Sequence, residues 1–148
     1  MLYTPLTKKA LKLSFAAHKD QLDKSGMPYV YHPFHVAEQM DDEDSVIVAL
    51  LHDVVEDSNV TEEDLRYAGF KDEIIEAIML LTHKKNVPYL EYVEHLKHNK
   101  LARKIKKADL MHNSDMSRNE VVDKKTAKRM RKYKKALKIL DEAEANEC

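Results

Sequence analysis

Four ionisable residues, His52, Asp53, Glu56 and Asp57, sit at the end of a run of six apolar ones, Val46 to Leu51, with Val54 and Val55 between the two pairs. An imidazole and three carboxylates on a core-type segment are costly to bury without a partner. If the segment is one continuous α-helix, Glu56 lies i+4 from His52 and i+3 from Asp53, and Asp57 lies i+4 from Asp53. All four then share one edge of the cylinder. That edge calls for a cation. A divalent metal offsets the desolvation of an imidazole and several carboxylates together, whereas a solvated acidic helix end needs no apolar run before it.

The segments around this helix read as further helices. Thr4 followed by Pro5 is an N-cap and first-turn pair, and Leu6, Ala10, Leu13 and Ala17 give the helix an apolar face as far as His18. Asp20 to Tyr31 is a loop, with Lys24, Ser25, Gly26 and Pro28 supplying turn chemistry. Pro33 at a first helical position puts His32 at the mouth of a second helix, with Val36, Ala37 and Met40 on its apolar side. Asp41 to Asp44 reads as the cap and acidic first turn of the central helix.

Downstream, Thr61 to Asp64 is a capping box for a short helix that stops at Gly69, and Asp72 caps the next, whose apolar face is Ile74, Ile75, Ile78, Met79 and Leu81. Pro88 opens a helix ending near Asn99. Leu101, Ile105, Ala108 and Met111 mark another, which carries Lys106, Lys107, Asp109, His112 and Asn113. Asp115 to Glu120 reads as a connector. The last helix, from about Asp123 to Ala145, holds nine basic residues between Lys124 and Lys138 before turning acidic. Such a stripe is usually a solvated outer face, and no stacking aromatics or glycine loops are interleaved with it, so no nucleic-acid partner is expected.

Composition agrees with this reading. The 148 residues suit a single domain, 1–148, and with 2 Gly, 4 Pro and no Trp they favour an all-α fold. The net charge of −1 arises from 25 basic and 26 acidic residues, so no global field steers the chain to nucleic acid or membrane. One cysteine, Cys148, excludes a disulfide framework and a thiolate metal cluster. No apolar stretch approaches a membrane span or a signal peptide, which makes a cytoplasmic protein the expectation. Neither a P-loop nor a dinucleotide fingerprint is present.

The order His32, His52-Asp53, Asp109 resembles the H…HD…D signature of the HD-domain metal-dependent phosphohydrolases. The neighbouring words agree in sequence order: Tyr29-Val-Tyr-His-Pro33, Ala49-Leu-Leu-His-Asp-Val-Val-Glu-Asp57 and Lys106-Lys-Ala-Asp-Leu-Met-His-Asn113. Together they are similar to the hydrolase domain of the RelA/SpoT family and its small stand-alone relatives, over roughly Ala16 to Met116. The resemblance implies an HD-type bundle of about seven to eight helices around one metal ion. It implies His32, His52, Asp53 and Asp109 as metal ligands, manganese as the metal, and Glu56 and Asp57 as the acids that position and deprotonate water. Two imidazoles and two carboxylates suit Mn, Fe, Co or Zn better than Mg or Ca, and a metal lowers the pKa of water toward neutrality. Lys24 and Ser25 match a nucleotide-reading loop, and Asn113 an asparagine of the substrate pocket. The implied reaction is removal of the 3′-pyrophosphate of guanosine tetra- or pentaphosphate, by a protein that is a monomer or a homo-oligomer.

Two positions depart from the family pattern. Asp23 and Leu110 stand where arginines are usual, and a lost guanidinium removes stacking and bidentate phosphate binding. They favour, as the alternative, an HD-fold phosphohydrolase of another nucleotide, a monophosphate or a dinucleotide phosphate. A non-catalytic HD-fold binding module is the reading from another class; it predicts loss of some of the ligands or acids, and all are present. Lys106 and Lys107 are further candidates for phosphate. His18, His35, His83, His95, His98 and His112 read as surface or core residues, with His112 the closest to a role because it shares a helix with Asp109.

Overall fold

The computed structural model describes residues 1–118 and 123–147; residues 119–122, within which the expected connector ends, and Cys148 lie outside the described residues. The described chain is all-α. Its helices are α1 (Pro5–His18), α2 (Tyr31–Glu38), α3 (Glu43–Leu51), α4 (Val54–Asp57), α5 (Glu62–Tyr67), α6 (Asp72–Leu81), α7 (Tyr89–Leu96), α8 (Lys100–Arg118) and α9 (Lys124–Ala145). Among the described residues the only extended pairing is an isolated antiparallel bridge between Leu22 and Pro28.

Every residue of α3 from Ser45 to Leu51 is buried. A helix apolar on all sides must be covered on all sides, and α1, α2, α6 and α8 pack directly around it. Asp42 caps it, its carboxylate accepting from the Ser45 backbone N–H at 2.8 Å. α9 closes the outside against α7 and α8. It buries Thr126, Ala136 and Leu140 and turns most of its lysines and arginines to solvent, as a solvated outer face requires. Among the described residues no helix is long and apolar enough to cross a membrane.

Several local expectations are corrected. The central helix is not continuous: it breaks at His52-Asp53, where Asp53 adopts φ −108° and ψ −2°, and resumes as the single turn α4. α2 starts two residues earlier than Pro33 implies, with Val30 as N-cap, so His32 lies inside the first turn. Lys71, not Asp72, precedes α6 and caps it without a side-chain bond. α8 continues to Arg118 through the start of the expected connector, and Met111 is exposed rather than packed. The deepest edge of α1 is Thr7, Ala10, Ser14 and His18 rather than the leucine face. The two caps read at Thr4 and Thr61 are both present as full capping boxes.

Candidate metal centre

Four side chains from three parts of the chain converge beneath the break after α3. His32 comes from the first turn of α2, His52 and Asp53 from the break itself, and Asp109 from the middle of α8; each offers a ligand atom, and these atoms all lie within 4.8 Å of one another. That spread is about twice a transition-metal bond of ~2.0–2.2 Å to nitrogen or oxygen. His32 Nε2 is 2.7 Å from Asp109 Oδ1 and 4.0 Å from Asp53 Oδ2. His52 Nε2 is 3.1 Å from Asp53 Oδ2 and 3.5 Å from Asp109 Oδ1.

His52 provides the test of whether a metal fits. Its Nδ1 contacts the Ala49 carbonyl oxygen at 2.6 Å, and because a carbonyl only accepts, Nδ1 carries the proton. Nε2, fully buried, makes no hydrogen bond in spite of the two nearby carboxylates. A buried imidazole nitrogen without a hydrogen-bond partner, turned toward two anionic oxygens, is stable only if a cation, proton or metal, lies among them. The donor set, two nitrogens and two carboxylates, is that of a transition-metal site.

The electrostatics point the same way. Burial alone would lower the His52 pKa, but Asp53 and Asp109 outweigh it and raise it well above the usual value. Burial would likewise raise the two carboxyls. The His52 imidazole instead holds Asp53 at about 2, and Lys106 holds Asp109 well below the usual carboxylate range, with the two histidines adding to its effect. The cluster therefore retains two carboxylates and gathers positive charge around them.

The next layer out is equally ordered. Tyr29 donates its hydroxyl to Asp53 Oδ2; burial, then Asp53, push the phenol up, so it stays a donor. His18 packs edge-on against Tyr29 at 5.1 Å. Lys106 Nζ is 3.0 Å from Asp109 Oδ2 and within 5.4 Å of the ring centres of Tyr89 and Tyr92. Lys106 thus faces inward as an ion-pair partner of Asp109, whereas Lys107 pairs with Asp141 and Glu144 on α9. His112 Nδ1 is 2.7 Å from His32 Nδ1. Tyr29 and His112 lie within the words that carry the family resemblance, but nothing in the sequence gives either of them, or His18, these contacts; tertiary packing does.

Of the two acids on α4, Glu56 accepts from the His83 backbone N–H at 2.7 Å, and burial raises its carboxyl pKa. Asp57 is raised further, to about 6, by burial and by its neighbours Asp53 and Glu56. Its backbone carbonyl accepts from Gln21 Nε2 at 2.7 Å, which ties the loop after α1 to the end of α4. Because the helix breaks before them, these acids stand on a separate turn, where the charge of Asp53 contributes to raising both carboxyls.

Asn113 donates through Nδ2 to Asp109 Oδ1 at 3.1 Å, directly beside the four-residue cluster. Lys24 and Ser25 lie exposed at the tip of the loop between α1 and α2. Asp23 shapes that tip, its Oδ1 accepting from the backbone N–H of Ser25 at 2.8 Å and of Met27 at 2.9 Å, while Gly26 takes the positive φ of 82°. Leu110 is completely buried in the core. Both departures from the family pattern therefore do structural work, Asp23 in a turn and Leu110 in packing.

An all-α bundle enclosing a two-histidine, two-carboxylate cluster able to bind a metal is the architecture of an HD-type domain, and comparison with known proteins agrees. A family model for the HD domain matches residues 10–138, and the chain belongs to the HD-domain family. Shorter stretches are similar to much longer proteins. One is a GTP pyrophosphokinase of Myxococcus xanthus, 47% identical over 64 residues, covering 40% of this chain and 8% of that protein. Another is a guanosine-3′,5′-bis(diphosphate) 3′-pyrophosphohydrolase of Vibrio cholerae, 45% identical over 65 residues, covering 38% of this chain and 9% of that protein. The enzyme of that name from Haemophilus influenzae is 39% identical over 75 residues, covering 47% and 11%. The matches thus take in about a tenth of these relatives. A solved structure of a metazoan orthologue of SpoT, described as hydrolysing ppGpp, matches with a TM-score of 0.74 and 22% identity over 97% of this chain and 96% of that chain. At that identity the likeness is one of fold.

Proposed function

We propose that the chain is a single HD-type domain and a cytoplasmic, metal-dependent nucleotide phosphohydrolase that removes the 3′-pyrophosphate of guanosine tetra- or pentaphosphate. The observation that carries the reading is the buried Nε2 of His52, turned toward the carboxylates of Asp53 and Asp109 without a hydrogen-bond partner. His32, His52, Asp53 and Asp109 hold one divalent ion, for which the nitrogen and oxygen donors and the family resemblance favour manganese. When bound, the ion supplies Lewis-acid polarisation of a phosphoryl oxygen and acidifies water.

The chain's own residues do the rest. Glu56, held by the His83 backbone, orients the attacking water. Asp57, the next residue on the same turn, whose carboxyl is raised in the metal-free protein, takes the proton. The new bond joins the water oxygen to the phosphorus attached to the ribose 3′ oxygen; the bond to that 3′ oxygen breaks, the oxygen gains a proton, and pyrophosphate departs. Tyr29 fixes Asp53 and Asn113 fixes Asp109 through hydrogen bonds. Lys24 and Ser25, at the exposed loop tip, and Asn113, beside Asp109, contact the nucleotide.

A second reading, hydrolysis of another nucleotide's phosphate, is favoured by one observation: Asp23 is consumed in a turn and Leu110 in the core, so neither supplies a guanidinium. A panel of nucleotides incubated with manganese-loaded protein separates the two. Pyrophosphate release from guanosine tetraphosphate is expected; release only of inorganic phosphate from other nucleotides establishes the second reading, and no turnover of any nucleotide refutes both.

A further inference from the structure

His112 lies outside the four-residue cluster, yet its Nδ1 is 2.7 Å from the Nδ1 of His32. Two imidazole nitrogens this close share one proton, so one is the donor and the other is bare. The ring planes differ by only 12°, and the 4.9 Å between centroids is close to the N···N distance plus the two ring radii. The rings therefore meet edge to edge in a common plane, which aligns an N–H with a lone pair. Face-to-face contact is instead made on the other side of His112 by His35, with centroids 4.2 Å apart and planes 28° apart.

We propose that His112 is a positioning residue for the metal centre: its bare Nδ1 accepts the Nδ1 proton of His32 and so presents the unprotonated Nε2 of His32 to the ion. The proposal rests on the assignment of His32 as a ligand. Nε2 is the nitrogen that faces the cluster: without a metal it donates to Asp109 Oδ1 at 2.7 Å, and a metal takes the place of that proton and requires Nε2 bare. The proton of a neutral His32 then resides on Nδ1, and His112 is the group placed to receive it.

The second histidine of the cluster shows the same design. Behind His52, the Ala49 carbonyl receives the Nδ1 proton at 2.6 Å. Both histidines thus have an acceptor behind them, backbone in one case and a side chain in the other, the arrangement by which outer partners set tautomer and ring orientation. His112 is also one turn from Asp109 on α8. The same helix that brings in a carboxylate ligand therefore aims an imidazole ligand from α2.

The test compares wild type with H112N, whose Oδ1 replaces Nδ1 as an acceptor, and H112F, which has none. Mn2+ affinity is read by titration calorimetry, and the protonated nitrogen of His32 by 15N NMR of the Zn2+-loaded wild type. The expected results are a proton on His32 Nδ1, near wild-type affinity for H112N, and affinity lowered about ten- to a hundredfold for H112F. His32 protonated on Nε2 in the Zn2+-loaded protein overturns the proposal, as does H112F with wild-type affinity or H112N as weak as H112F. A wild type that binds neither ion overturns the ligand set and this inference with it, whereas normal binding by wild type and H112F alike overturns this inference alone. Should H112F not fold, H112N and the wild-type NMR measurement decide.

Discussion

Lys106 Nζ lies 3.0 Å from Asp109 Oδ2, one turn back along α8, with only 11% and 6% of the two side chains exposed. A lysine on a helix usually reaches for solvent. Here burial opposes its charge, the Asp109 carboxylate and the rings of Tyr92 and Tyr89 outweigh that effect, and its pKa is raised well above the ordinary value. The pair works as an internal unit that keeps Asp109 ionised before any ligand arrives.

Removing one member of a buried ion pair leaves the other without compensation. Lys106→Met is therefore expected to destabilise the metal-free protein by about 3 kcal/mol, measured by urea denaturation. In an Asp109→Asn background the same change should cost clearly less. Equal losses in the two backgrounds would show that the residues are not coupled.

Ligand loss and loss of the acids should separate. Asp109→Ala is expected to abolish both metal binding and turnover, seen by elemental analysis of the reconstituted protein alongside a product assay. Glu56→Gln should retain one equivalent of metal and slow turnover by ~10²-fold. A metal-replete, active Asp109→Ala protein refutes the ligand assignment.

Metal and proton compete for His52. Its folded-state pKa is raised, so its contribution to stability is complete below the unfolded value of about 6.5 and disappears as pH rises through the folded value. Asp53 and Asp109 have lowered values; their contribution is present above about 3.9 and is lost as pH falls through their folded values. The metal-free protein should therefore lose stability on the alkaline side of neutrality and the loaded protein should not, as thermal melts across pH will show. Metal uptake at neutral pH should release protons, detected by calorimetry in buffers of different ionisation enthalpy. Uptake without proton release would contradict a protonated His52 in the empty site.

Asp57 has the opposite sign to the depressed acids. Its carboxyl rises from 3.8 to about 6 on folding, so the folded state holds the extra proton and stability falls as pH climbs through that interval. Asp57→Asn should stabilise the metal-free protein at pH 7 by less than ~1 kcal/mol, because the side chain faces solvent. The gain should vanish near pH 4. Turnover should drop by ~10²-fold, so a variant more stable yet as active as wild type would remove Asp57 from the reaction.

The four clustered residues were legible because each sits in a distinctive local word, such as Leu51-His52-Asp53 after an apolar run. Their convergence was not derivable from spacing; it depends on α2 and α8 packing on α3. The single continuous helix assigned to His52 and Glu56 was the part that failed, because α3 ends at Leu51 and the chain resumes only at Val54 as the separate turn α4. Tyr29, His18 and His112 carried no periodic or capping signal, since an aromatic or imidazole side chain reads alike whether it faces solvent or a buried carboxylate. The inward placement of Lys106 was not legible for a related reason: the carboxylate that draws it inward is a helical neighbour, but the tyrosines flanking it come from α7.

The turn closed by Asp23 has a consequence for recognition. The two N–H bonds to Asp23 and the positive φ of Gly26 shape the segment carrying Lys24 and Ser25 on folding, so if these two residues contact the nucleotide as proposed above, little affinity is lost to ordering them. On that reading the preset turn would favour guests that fit its contour over bulkier ones that require it to be reshaped.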